Sequence, residues 1–146
     1  MYGLLGRGID LFNGGEYFEC HEVWEEAWTP ERGPRRLFLQ SLIHFAVGLY
    51  HAERGNPVGA ERQLRKGLRK LGGYLPECEG IDTARLHAEG LVVLERIEAG
   101  AAFEYPRIHL VNSGTGPAVH AAQKARLGTG GSVPLREFNP NDRPVS

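Results

Sequence analysis

Cysteine is scarce in this chain. Cys20 and Cys78 are the only two, and they form no Cys-x-x-Cys pair. A disulfide-stapled scaffold is excluded, and pairing of the two is not expected in a reducing compartment. Nor is a staple needed, because a domain of 146 residues buries about two thirds of its unfolded surface. Long hydrophobic runs are missing too. The stretch from Leu37 to Tyr50 is interrupted by Gln40, Ser41 and His44 and falls short of the ~20 residues a membrane span requires. No basic segment precedes an apolar one in the manner of a secretory signal, so the expected location is cytoplasmic. Charge of one sign is also lacking. With 17 basic and 18 acidic residues the net charge is −1, which gives no overall field to draw nucleic acid or an anionic membrane. Finally, no segment alternates with period two for long enough to make a strand.

What is present is helical periodicity. Leu5, Ile9 and Phe12 mark a first helix, which Asn13-Gly14-Gly15 ends, although Gly6 and Gly8 weaken it by roughly 1 kcal/mol each. A second helix runs from about Glu16 to Trp28 and stops at Thr29-Pro30, since proline cannot continue it. The third, from about Pro34 to Arg54, is apolar nearly all round, as suits the middle of a bundle. Gly55-Asn56-Pro57 then supplies a C′ glycine, an N-cap and an N1 proline in succession. The fourth helix, to about Leu71, has Ala60, Leu64, Gly67, Leu68 and Leu71 inside, with Arg62, Arg65, Lys66, Arg69 and Lys70 opposite. Asp82 caps a fifth helix to about Ala99, with Leu86, Val93, Leu94 and Ile97 inside.

The expected fold is therefore all-α, about five helices packed as αα-hairpins in a compact bundle over residues 1–110. Residues 111–146 are rich in glycine and proline and poor in large apolar side chains. They read as a flexible tail, with a short helix conceivable from Ala118 to Leu127. The first glycine-marked turn, at Gly15, has a counterpart at Gly55, and matching inner positions follow each. This pattern is distantly like stacked tetratricopeptide hairpins, yet two copies are too few for an open solenoid.

The chemistry-bearing residues gather on the second and third helices. His21 and Glu25 lie one turn apart at the edge of an apolar face formed by Tyr17, Cys20, Val23, Trp24, Ala27 and Trp28. Phe18 is beside them and Glu22 one step further out. On the third helix Gln40, His44 and His51 form a narrow polar arc. Buried polar groups need partners, so the two sets are expected to converge on one pocket of Phe18, His21, Glu25, Gln40, His44 and His51. The leading use of it is a polar core or ligand pocket without cofactor. A divalent transition metal held by His21, Glu25 and His44 is a second use, because imidazole and carboxylate suit zinc, iron or manganese. A third is acid–base catalysis by His21, Glu22 and Glu25. Glu25 stands where a zincin has its second histidine, and Cys20, on the apolar face, reads as inert packing. The cations of the fourth helix read as a solvated face, so nucleic acid is disfavoured.

The run Leu11-Phe12-Asn13-Gly14-Gly15-Glu16-Tyr17-Phe18-Glu19-Cys20-His21-Glu22-Val23-Trp24-Glu25 resembles the signature of domain-of-unknown-function family 309, a bacterial and archaeal family. Phe38-Leu39-Gln40, Gly48-Leu49-Tyr50-His51, Gly55-Asn56-Pro57-Val58-Gly59-Ala60 and Gly80-Ile81-Asp82 continue the likeness, which spans about Gly8 to Leu110. It implies packed helical hairpins and no assigned activity. Cys20 occupies a position where alanine is expected. The functional expectation is a binding module for a small molecule or a protein, with a small hydrolase-like enzyme using the same pocket as the alternative.

Overall fold

The computed structural model describes residues 3–111. Five α-helices follow one another: α1 (Gly3–Asn13), α2 (Tyr17–Trp28), α3 (Arg35–Glu53), α4 (Pro57–Leu71) and α5 (Thr83–Glu98), with a 3₁₀ turn (Gly72–Tyr74) after α4. No strand occurs among the described residues. The flexible tail expected over 111–146, and the helix expected within it, lie outside the described residues beyond Val111.

The ends of the helices follow local chemistry. Asn56 Oδ1 accepts from Gly59 N at 3.0 Å with Pro57 at the first helical position, and Asp82 Oδ1 accepts from Arg85 N at 3.0 Å. The core is centred on α3, where Phe38, Leu39 and every residue from Ser41 to His51 are buried. Leu37 departs from the all-round expectation at 45% exposed. Against α3 lie α2 on one side and α4 on another, and α5 packs on α4.

Two close approaches set these packings. At Gly8 of α1 a methyl group would fall inside the indole of Trp24, whose Nε1–H donates to Leu5 O at 3.2 Å. The glycine read as a weakness of α1 is the seat of the bundle's largest buried side chain. At Gly67 of α4 a methyl would lie 2.9 Å from Phe45 Cδ1 and 3.1 Å from His44 Cβ. The absence of a side chain there lets α4 sit directly on the polar arc of α3.

After α5 the chain returns across the bundle as an extended strap, residues 101–111. Asn13 holds it: Nδ2 donates to Ile108 O at 3.0 Å, and Oδ1 accepts from Ile108 N at 2.8 Å. Arg107 donates to Asn13 O at 2.9 Å, while Asp82 N donates to His109 O and Val111 N to Gly80 O, both at 2.8 Å. Ile108 is thereby sealed into the core.

Candidate functional site

The residues expected to share one pocket are divided among three places. On α2, His21 is buried, its Nδ1–H donates to Phe18 O at 3.0 Å, and Nε2 lies 3.4 Å from Glu25 Oε2. Phe18 packs on the His21 ring at 5.5 Å and on Tyr50 of α3 at 5.9 Å between centroids. Phe18, His21 and Glu25 thus form one group, as the helical spacing requires. Glu22 is exposed and stands apart from it.

The polar arc of α3 faces α4 instead of α2. Gln63 Oε1 can only accept, so His44 Nδ1 carries the proton of their 2.8 Å bond. Its bare Nε2 then faces Lys70 Nζ at 3.2 Å. Further along the arc, Asn56 Nδ2 donates to His51 Nδ1 at 3.3 Å. Gln40, half-buried, occupies the same arc one turn before His44. The expected convergence on His21 is corrected by Gly48 and Gly67, whose lack of side chains draws α4 onto this face. Among the described residues no three His, Cys, Asp or Glu side chains come together as a metal-sized group, so His21, Glu25 and His44 do not make the donor set considered for one. Lys70 also leaves the solvated face it was assigned to. Burial, with Arg69 and Lys66 nearby, lowers its pKa.

Cys20 lies on the apolar face of α2, where the helical spacing puts it. It is fully buried, its thiol donates to Gly8 O at 3.3 Å, and burial pushes its pKa well up, away from the thiolate a nucleophile needs. Trp24 is core, and Trp28 carries the Arg36 guanidinium 3.8 Å over its ring.

A concave site lies elsewhere. The strap and one face of α5 enclose a groove of about 550 Å³. Arg85, Glu89, Val92, Val93 and Arg96 line it from the helix, and Phe103, Tyr105, Arg107 and His109 from the strap. Glu89 organises its polar end. Oε1 accepts from Arg107 N and Oε2 from Arg85 Nε, both at 3.1 Å, and His109 Nε2 stands 4.0 Å away. Arg107 and His109 are only 6% and 4% exposed. Arg96 donates to Ala102 O at 3.3 Å, tying the far end. Sequence reasoning missed this site. The available signal was the short alternation of Phe103, Tyr105, Arg107 and His109 with Ile108 and Leu110, too brief to read as a strand.

Beside the groove, Tyr105 stacks on Tyr17 with centroids 5.8 Å apart. Behind them lies Glu53, the last residue of α3. Both of its carboxylate oxygens are buried without a hydrogen-bond partner among the described residues. Burial first, and Glu16 second, raise its pKa to about 8. Burial and Glu53 together push the Tyr105 phenol up to about 12, and the Tyr17 phenol is raised well above its usual value by the same causes.

Comparison with known proteins adds a likeness and no activity. The chain is 36% identical over 92 residues to the "Uncharacterized protein YpuF" of Bacillus subtilis (strain 168). The alignment covers 61% of this chain and 53% of the relative, so the chain spans about half the length of the curated relative it matches. Residues 5–63, from α1 to the middle of α4, match the model of the family described as a domain of unknown function (DUF309), the family that the run from Leu11 to Glu25 resembles.

Proposed function

We propose that this chain is a binding module whose ligand is a small anion with an apolar body, held in the groove between α5 and the strap. The observation that carries the reading is the groove itself. Its volume of about 550 Å³ falls in the ~300–1,000 Å³ range of small-molecule sites. Val92, Val93 and Phe103 provide apolar wall, and Arg85, Arg96, Arg107 and His109 provide donors. Glu89 is already engaged by Arg85 and by the Arg107 amide. Two buried donors, Arg107 and His109, and two exposed ones, Arg85 and Arg96, at an apolar cleft give orientation and sign to a ligand. The imidazole and carboxylate expected at His21 and Glu25 have their counterparts here in His109 and Glu89.

Thermal unfolding of the full chain with octanoate, octanol and inorganic phosphate tests the reading. Octanoate should raise the unfolding temperature, as a ligand does that binds only the native state. Val92 is 52% exposed at the rim, so Val92→Glu should abolish the response while leaving the unliganded protein folded. An equal response in wild type and variant, or no response to octanoate, would remove the groove as the ligand site.

A further inference from the structure

The geometry points to a second, covalent site outside that groove: Lys70 is a reactive amine that forms an imine with a small aldehyde bearing an anionic group. No residue lining the groove lies on α3 or α4, so the two sites are separate.

Three side chains stand in sequence. Gln63 Oε1 takes the Nδ1 proton of His44 at 2.8 Å and so fixes the imidazole tautomer. The bare Nε2 of His44 faces Lys70 Nζ at 3.2 Å. A nucleophile within hydrogen-bond reach of a base, with the base oriented by a third group, is the arrangement that activates side-chain nucleophiles. His44 is 1% exposed, so its ring cannot turn to solvent and its basic nitrogen stays on the amine. Lys70, on the last turn of α4, is only half-buried, so part of its side chain is open to solvent.

The charges around Lys70 act in the same direction. Its burial and the cations Arg69 and Lys66 on its own helix favour the neutral amine, and His44 Nε2 on α3 stands 3.2 Å from its nitrogen. The same two cations favour an aldehyde that carries a carboxylate or phosphate over a neutral one.

The chemistry balances without an oxidant or reductant. The Lys70 nitrogen attacks the carbonyl carbon, and the carbonyl π pair moves to oxygen, which takes a proton from water. The nitrogen of the resulting carbinolamine gives its extra proton back to the hydroxide so formed. Its lone pair then forms the C=N bond as the C–O bond breaks, and the departing hydroxide takes the remaining N–H proton and leaves as water. Amine and aldehyde thus give imine and water. Lys70 touches the substrate, and His44 is a positioning residue acting through it.

The chain has three lysines, Lys66, Lys70 and Lys124, so two internal controls are built in. The full chain is incubated with 4-carboxybenzaldehyde, trapped with cyanoborohydride and mapped by peptide mass at several pH values. Labelling of Lys70 should exceed that of Lys66 and Lys124 about tenfold near neutral pH, and the preference should grow as pH falls from about 9 to 7. Benzaldehyde should label Lys70 more slowly than its carboxylate analogue. His44→Gln should lower Lys70 labelling to the level of the other lysines and move its pH profile upward. Equal labelling of the three lysines, or a wild-type rate and profile in a folded His44→Gln variant, would overturn the assignment. If that variant does not fold, the wild-type pH profile decides: a Lys70 preference that stays constant with pH overturns it equally. Lys70 labelling that is equal for the two aldehydes would overturn the anionic substrate class.

Discussion

Glu53 shows how one residue couples this fold to pH. Its carboxyl is held at about 8 in the folded protein by burial and by Glu16, whereas an unfolded glutamate titrates near ~4.3. Between those values the native state binds more protons than the unfolded state, so stability falls as pH rises through the window and levels off above about 8. Solvent reaches part of the side chain and limits the effect to about 1–2 kcal/mol. Glu53→Gln keeps the shape and removes the charge. It should raise the unfolding free energy by about that amount at pH 8.5 and leave it nearly unchanged at pH 5, as denaturant titrations at the two pH values would show. A variant equally stabilised at both values would count against a charge origin. Nothing local marks Glu53. In the sequence it is one more polar residue before the Gly55 turn, and its neighbour Tyr105 arrives from beyond α5.

At the scale of elements, the apolar character of α3 and the stripes and caps of α4 and α5 were legible because their causes lie within a few residues. Asn56, Pro57 and Asp82 cap where their positions say they should, and Ala60, Leu64, Gly67, Leu68 and Leu71 all face inward. The polar arc of Gln40, His44 and His51 was equally visible. Helical period fixes the direction of an arc on its own helix, not which neighbour will cover it, and so α4 could not be told from α2. Gly8 misled for a related reason. Propensity counts it as a cost to α1, while its use belongs to the α1–α2 contact, where Trp24 occupies the space of the missing side chain. Gly8→Ala should therefore destabilise despite improving helix propensity. Overpacking at about 2–3 kcal/mol exceeds a propensity gain of about 1 kcal/mol. A net loss of about 1–2 kcal/mol with blunted Trp24 near-ultraviolet ellipticity is expected, and a gain in stability would contradict the packing described.

For the whole molecule the strap decides the most. Its bonds join residues far apart in sequence, Asn13 with Ile108 and Gly80 with Val111, and no helical or strand period announces them. The groove between strap and α5, and with it the candidate ligand site, was consequently hidden from a reading that follows the chain. Asn13→Ala removes both side-chain bonds to Ile108 and leaves a buried amide and carbonyl without that partner, a loss of about 2 kcal/mol. Hydrogen exchange should then quicken at Ile108 and His109 while the centre of α3 keeps its protection, and octanoate should bind the variant more weakly. Unchanged exchange at Ile108 would show that the strap is held by other means. The clamp also gives the molecule a mechanical order. Gly3, Leu4, Leu5, Gly6 and Ile9 line one shared cleft with Leu110 and Val111, so the two ends of the described chain lie side by side. A force pulling those ends apart reaches the strap's bonds in turn, first Val111–Gly80, then His109–Asp82, then Asn13–Ile108. The strap should peel away as a separate first event, erasing the groove while the helices behind it still carry tension.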